Sequence, residues 1–203
     1  MFGDLPYKVV DDFLPIEYWR QINAILCSVD HTWYFQNNIT LLPEHANSNS
    51  FGLGCFGFSA WIVRPDRPYE IAKDQGSSCI AEMIMPLCFS IQQFVGGKGI
   101  IKARCDMTMY NPNNHIHPPH IDVDYTEHIA AVYYVNESDG NTVLYNQRCI
   151  VNDYSLFPEQ LDILVEVEPK PNRLLVFDGS LIHTGHSPSK NNYRVIINSD
   201  YSI

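Results

Sequence analysis

LDILVEVEPKPNRLLVFDGSLIHTGHSPSKNNYRVIIN, residues 161–198, reads as four short runs rich in Leu, Ile and Val, each closed by Pro, Gly, Asn or Asp. Apolar runs of this length between turn formers are strands, and connections this short leave no space for the crossover helix that a parallel pair needs. Upstream, IIKARCDMTMY (100–110), HIAAVYYVN (128–136) and TVLYN (142–146) repeat the pattern, so the second half holds at least six strands. Many short strands punctuated in this way build a sandwich or a jelly-roll barrel.

The first half is mixed. YKVVDDFL (7–14) reads as a strand. PIEYWRQINAILCS (15–28) reads as a helix with Pro15 in its first turn and Trp19, Ile22, Ile25 and Leu26 at helical spacing. TWYFQNNITLL (32–42) and FGLGCFGFSAWIV (51–63) are β-rich stretches split by the polar turn EHANSNS (44–50). SSCIAEMIMPLCFSIQQFV (77–95) predicts a second helix, capped by Ser77 or Ser78, kinked or bounded at Pro86, and ended by Gly96, Gly97 and Gly99. The expected class is mainly β (α+β): one domain over 1–203, with helical support and flanking strands in 1–100 and a barrel core in 101–203. No repeat, linker or low-complexity tract interrupts it.

Composition narrows the function classes. A chain of 203 residues with 45% hydrophobic content fills one substantial core. A net charge of −10 gives no general attraction to phosphate backbones or anionic lipid, so nucleic acid is not favoured as a partner. No stretch is apolar and long enough to span a bilayer, and MFGDLPYKVVDDF has no basic-then-apolar leader, so a soluble, cytoplasmic protein is expected. Cysteines 27, 55, 79, 88, 105 and 149 form no CxxC pair and read as buried thiols in a reducing compartment.

Metal-capable side chains concentrate in NPNNHIHPPHIDVD, residues 111–124. In extended backbone, residues i and i+2 point the same way, so His120 and Asp122 can face one ion while Ile121 turns into apolar packing. An imidazole and a carboxylate are two of the three ligands of a facial triad that leaves the opposite face open. FDGSLIHTGH (177–186) offers His183 or His186 as the third. His183, at the return from the Asp178-Gly179 turn, is favoured over His186, which sits farther out in the loop.

Taken in order, HID (120–122), AAVYYVN (130–136), DGNTVLY (139–145), PNRLLVFDGSLIH (171–183) and YRVIIN (193–198) resemble the iron(II)- and 2-oxoglutarate-dependent oxygenases, in particular their small prolyl 4-hydroxylase-like branch. The resemblance covers roughly the C-terminal half, and the opening strand and helix look similar too. It implies a double-stranded β-helix (jelly roll) core with supporting N-terminal helices. His120, Asp122 and His183 would be the metal ligands and catalytic centre, and Arg194 the group binding the distal carboxylate of 2-oxoglutarate, with Tyr110 adding a hydrogen bond or Tyr134 as its rival. A guanidinium fork fits a carboxylate bidentately and stays charged at any working pH. The implied cofactors are Fe(2+), 2-oxoglutarate as cosubstrate and O2, with ascorbate as an option. The reaction is oxidative decarboxylation to succinate and carbon dioxide coupled to hydroxylation.

Two departures stand out. Asp139-Gly140-Asn141-Thr142 replaces the doubled glycine usual before the fourth-strand threonine, and Arg stands where prolyl hydroxylases often have Lys. Peptidyl-proline specificity does not transfer, and the substrate is left as a protein side chain, an amino acid or another small metabolite. Two rivals are a non-catalytic metal-binding module of the same fold and a cupin-type enzyme without 2-oxoglutarate. A degenerate module has no reason to keep the triad and Arg194 together, and cupin sites are richer in His.

The remaining histidines have plainer readings: His115 and His117 as surface or rim residues of a Pro- and Asn-rich loop, His128 as a strand end, His186 as a loop residue. Trp33, Tyr34, Phe51, Phe56, Phe58 and Trp61 can line a substrate pocket, but aromatics in alternating strands are more often core, and that reading is preferred. Loops 36–50, 64–76, 111–119 and 146–160 are expected around the barrel mouth.

Overall fold

The computed structural model describes residues 5–37, 39–40, 55–71, 78–151 and 160–203; for 67–71 and 78–79 the backbone alone is described. The strands alternate faces, and that alternation assembles the protein. β1 (Tyr7–Val10), β2 (Tyr34–Gln36), β3 (Gly57–Arg64), β4 (Arg67–Ile71), β5 (Gly99–Met109), β6 (His128–Tyr134), β9 (Arg173–Asp178) and β11 (Tyr193–Ser202) form one sheet in the order β1-β9-β6-β11-β5-β3-β2, with β4 on β3. β7 (Thr142–Arg148), β8 (Ile163–Val167) and β10 (Leu181–Gly185) form a second, ordered β10-β7-β8. All described pairings are antiparallel. Bridges Ile116 to His186 and His120 to His183 lay residues 116–120 alongside β10 and widen the second sheet.

Ile129, Ala131 and Tyr133 of β6, Leu174 and Val176 of β9, and Val195 and Ile197 of β11 face one way, into a cluster with the helices α1 (Ile16–Leu26) and α2 (Ser78–Val95). Their neighbours Ala130, Val132, Tyr134, Leu175, Phe177 and Ile196 face the other way, against Leu144, Val167 and Leu181 of the second sheet. The larger sheet thus carries helices on one face and the smaller sheet on the other. This is the expected double-stranded β-helix with helical support.

Details depart from expectation. Pro15 is the N-cap residue of α1, with ψ of 135°, and not a first-turn residue. Of the four apolar positions in α1, Ile22 and Leu26 are buried while Ile25 is 36% exposed. Pro86 marks no boundary, since α2 runs through it. Pro86 and Glu82 are both exposed, so water can bond the carbonyl that Pro86 leaves without a donor. Gly96 ends α2 at φ 70°, with its own N–H to Gln93 O and that of Gly97 to Gln92 O, a Schellman closure. In 64–76, expected as a rim loop, residues 67–71 form β4. The turn at 44–50, with residues 51–54 and 72–76, lies outside the described residues. Among the described residues no helix is long and apolar enough to cross a membrane.

Asn172 joins the helical layer to the sheet. Its side chain accepts from Leu14 N (2.9 Å) and Tyr133 Oη (2.8 Å) and donates to Leu14 O (2.8 Å), while its backbone holds φ 62°. Asn tolerates this left-handed conformation better than most residues. Asn172→Ala strands buried polar groups of Leu14 and Tyr133 in a site that already strains a Cβ, and should cost about 3 kcal/mol in urea unfolding.

Candidate metal centre

Residues 116–120 run antiparallel to β10, and His120 and His183 exchange both backbone hydrogen bonds at 2.9 Å. Their rings consequently meet, with centroids 4.5 Å apart. Each ring is aimed by its own chain: His120 Nδ1 lies 3.0 Å from Pro118 O and His183 Nδ1 lies 3.1 Å from Leu181 O. A proton on Nδ1 serves those carbonyls and leaves the Nε2 lone pair of both rings available. Asp122 Oδ2 lies 3.1 Å from His183 Nε2, and one ligand atom from each of His120, Asp122 and His183 falls within 4.8 Å of the other two.

The two carboxylate oxygens of Asp122 are treated differently. Oδ1 accepts from Lys102 Nζ at 2.5 Å and Asn198 Nδ2 at 3.1 Å. Oδ2 is buried, has no aligned hydrogen-bond donor, and turns toward the imidazoles. Burial alone would raise the Asp122 pKa, but the Lys102 charge and the His183 ring hold it well below the usual carboxylate range. Lys102 also reaches Asp200 Oδ2 at 3.2 Å, and these two carboxylates outweigh burial and raise its pKa. The set fits a divalent cation: two oriented imidazoles, one anionic oxygen fixed as monodentate, and that oxygen otherwise unsatisfied.

A pocket opens beside this cluster, lined among others by Ile39, Thr40, Thr108, His117, Thr142 and Arg194. Arg194 is 5% exposed, and among the described residues no carboxylate pairs with it. It donates to Thr142 Oγ1 at 2.7 Å, and Tyr134 Oη donates to the same oxygen at 2.8 Å, while Arg194 Nε is buried without a partner. Burial lowers the Arg194 pKa. A buried guanidinium with donors to spare is costly unless an anion meets it. Gly140 permits this packing, since a Cβ there would lie 2.5 Å from His186 O and 3.0 Å from Arg194 Cδ.

His120, His183 and Arg194 line one pocket; Asp122 stands behind its wall against His183, and Tyr134 does not line it but bonds Thr142, which does. Tyr110 is 52% exposed and does not line it. His186 stays out of the His120–Asp122–His183 cluster, and its N–H bonds Asn141 O. His117 is no surface residue: it is 3% exposed and lines the pocket. His128 begins β6 with Nε2 3.5 Å from Asp200 Oδ1. Cys55, Cys88 and Cys105 are buried thiols as expected, while Cys27 and Cys149 are half-buried. Sequence reading missed Lys102, Arg104, Asp106, Thr108 and Asn198. The signal for the first four is polar residues at every second position of an otherwise apolar strand, KARCDMT, which marks a polar interior face.

No protein-family model and no curated protein matches the chain. Solved structures do. A prolyl hydroxylase from Trichoplax adhaerens, in complex with a hypoxia inducible factor oxygen degradation domain peptide fragment, is 15% identical with a TM-score of 0.62 over 99% of this chain and 85% of that one. A 2OG-Fe(II) oxygenase family oxidoreductase from Burkholderia pseudomallei is 10% identical with a TM-score of 0.63, over 98% and 86%. The epimerase SnoN from nogalamycin biosynthesis, solved with Fe3+, α-ketoglutarate and nogalamycin RO, is 9% identical with a TM-score of 0.59, over 97% and 78%. The chain has the fold of the iron(II)- and 2-oxoglutarate-dependent oxygenases. Prolyl hydroxylases are among the structures whose fold it shares.

Buried histidines make the metal-free protein acid-sensitive. Burial pushes both His117 and His120 down to about 3, and His183 adds to the effect on His120. In the unfolded chain each protonates near its ordinary value of about 6.5, so the unfolded state binds more protons below that pH. Their contribution to stability is present above about 6.5 and is lost as pH falls toward 3. Asp122, with its depressed pKa, acts in the same direction through the carboxylate range. The urea midpoint of metal-free protein should fall steadily from about pH 7 to about pH 4, and His117→Gln should flatten that slope.

Proposed function

We propose that this chain is an Fe(II)- and 2-oxoglutarate-dependent oxygenase that hydroxylates a protein side chain, an amino acid or a small metabolite. The observation that carries the reading is one pocket with a two-histidine, one-carboxylate cluster at its wall and a buried Arg194 without a carboxylate partner. His120, Asp122 and His183 would hold the iron through Nε2, Oδ2 and Nε2. When bound, iron and 2-oxoglutarate supply the oxidative step, with succinate and carbon dioxide as coproducts.

The chain's own residues supply geometry and charge. Lys102 and Asn198 occupy Asp122 Oδ1, which keeps the carboxylate monodentate and leaves more than one coordination position for cosubstrate and oxygen. Arg194 would receive the distal carboxylate, with Thr142 Oγ1, which accepts from both Arg194 and Tyr134, beside it to donate its own proton. Val132 and Ile196 give the pocket an apolar floor that limits water around the reacting groups. A cupin-type reaction has no use for Arg194, and the plain ion-pair reading of Arg194 finds no carboxylate among the described residues.

Two measurements test this. Anaerobic iron(II) binding should be lost in His183→Ala and kept in His186→Ala; the reverse would reassign the third ligand. With iron(II), the wild-type protein should form succinate from 2-oxoglutarate even without its substrate, and Arg194→Met should raise the 2-oxoglutarate KM by roughly 100-fold, the loss of a charge-assisted bidentate contact worth about 3 kcal/mol. A protein that binds iron but neither binds nor turns over 2-oxoglutarate would overturn the proposal.

A further inference from the structure

A second cluster of metal-capable side chains shares no residue with the triad, although His117 lines the same pocket: Cys55, His115 and His117. Cys55 lies two residues before β3, and the histidines lie in the segment between β5 and β6. Cys55 Sγ is 3.5 Å from His115 Nε2, the His115 and His117 rings meet edge to face at 5.1 Å, and one ligand atom from each of the three falls within 4.8 Å of the others. A tetrahedral site with zinc–sulfur and zinc–nitrogen bonds of ordinary length places its ligand atoms roughly 3.5 Å apart. The Cys55–His115 pair already has that spacing.

His117 supplies the second, independent observation. Its Nε2 lies 3.1 Å from Ser187 Oγ, while Nδ1 is buried and has no hydrogen-bond partner in a residue 3% exposed. A buried imidazole anchored at one nitrogen and vacant at the other is the arrangement that outer-shell hydrogen bonds give to a metal ligand. The backbone is held as well: Ser187 N bonds His115 O at 2.8 Å, and His117 N bonds Gly185 O at 3.0 Å.

We propose that Cys55, His115 and His117 form a zinc site that clips the approach to β3 onto the segment carrying His120. Its donor set differs from the triad's in the way that matters for selection, because a thiolate with two imidazoles suits zinc, whereas imidazoles with a carboxylate suit iron(II). Binding converts Cys55 from thiol to thiolate and releases one proton to solvent. Burial pushes that thiol up to about 11, so the ion, and not the protein environment, provides for its ionisation. The fourth position falls to water on the side of half-buried His115.

Cobalt(II) distinguishes this site from the triad, because thiolate ligation alone gives a sulfur-to-cobalt charge-transfer absorption in the near ultraviolet. Anaerobic titration of the metal-free chain should reach two equivalents and develop that absorption, and zinc should bleach it. The double variant His120→Ala, His183→Ala should lose one equivalent and keep the absorption. Cys55→Ser should lose the absorption with one equivalent, and His115→Gln, at a half-buried loop position, gives the same reading should the serine variant fail to fold. No near-ultraviolet absorption in the wild-type protein at saturating cobalt, or an absorption that survives both the Cys55 and His115 substitutions, would overturn the proposal.

Discussion

The ammonium of Lys102 lies between two carboxylates deep inside the protein, and much of the interior depends on that contact. Asp122 and Asp200 are both buried, 2.5 and 3.2 Å from it, and neither could remain ionised there alone. Lys102 belongs to a ladder of inward-facing pairs between β5 and β11: Asp200 opposite Lys102, Asn198 opposite Arg104, Ile196 opposite Asp106, Arg194 opposite Thr108. The same alternation turns Ala103, Cys105, Val195 and Ile197 outward to the helices. One pair of strands therefore serves an apolar core on one face and a charged chamber on the other.

The chamber's charges explain why it can exist. Lys102, Arg104 and Arg194 face Asp106, Asp122 and Asp200, so the formal charges cancel. The cancellation is uneven in space: Lys102 answers Asp122 and Asp200, Arg104 lies 2.6 Å from Asp106, and Arg194 meets hydroxyls in place of a carboxylate. A dication at the triad with a dianion reaching Arg194 would add no net charge. Either one alone would, and on this account the proposed metal and cosubstrate stabilise each other through the field as well as by direct contact.

The fold was legible because strand periodicity and turn residues are local properties. The i, i+2 spacing of His120 and Asp122 needed only extended backbone, and the strand-turn-strand run favoured His183 over His186 as the third residue without deciding between them. Tyr134 could not be separated from Tyr110 by sequence, since which of the two is enclosed depends on pairing register. Tyr134 lies opposite Ile196 in β6 and is sealed between the sheets, whereas Tyr110 follows the end of β5 and faces out. Lys102 escaped notice for a different reason. A lone lysine in an apolar run reads as a surface position; the alternation with Arg104, Asp106 and Thr108 marks a polar face, and the partners Asp200 and Asp122 show that this face is interior.

Asp139 shows how a departure from the prolyl hydroxylase pattern can be accommodated in this fold. Where a glycine is usual, its carboxylate accepts from Ser189 N and Oγ, Lys190 N and Asn191 N. Partial burial works against ionisation, but these hydrogen bonds prevail and bring its pKa to about 2. The side chain thus pins the turn between β10 and β11 from outside, while Gly140, where a Cβ would strike His186 O, stays bare toward the pocket. Only one of the two positions must be glycine for the backbone to pass Arg194. The other is free to carry a group that organises the turn leading into β11, the strand on which Arg194 and Asn198 are presented.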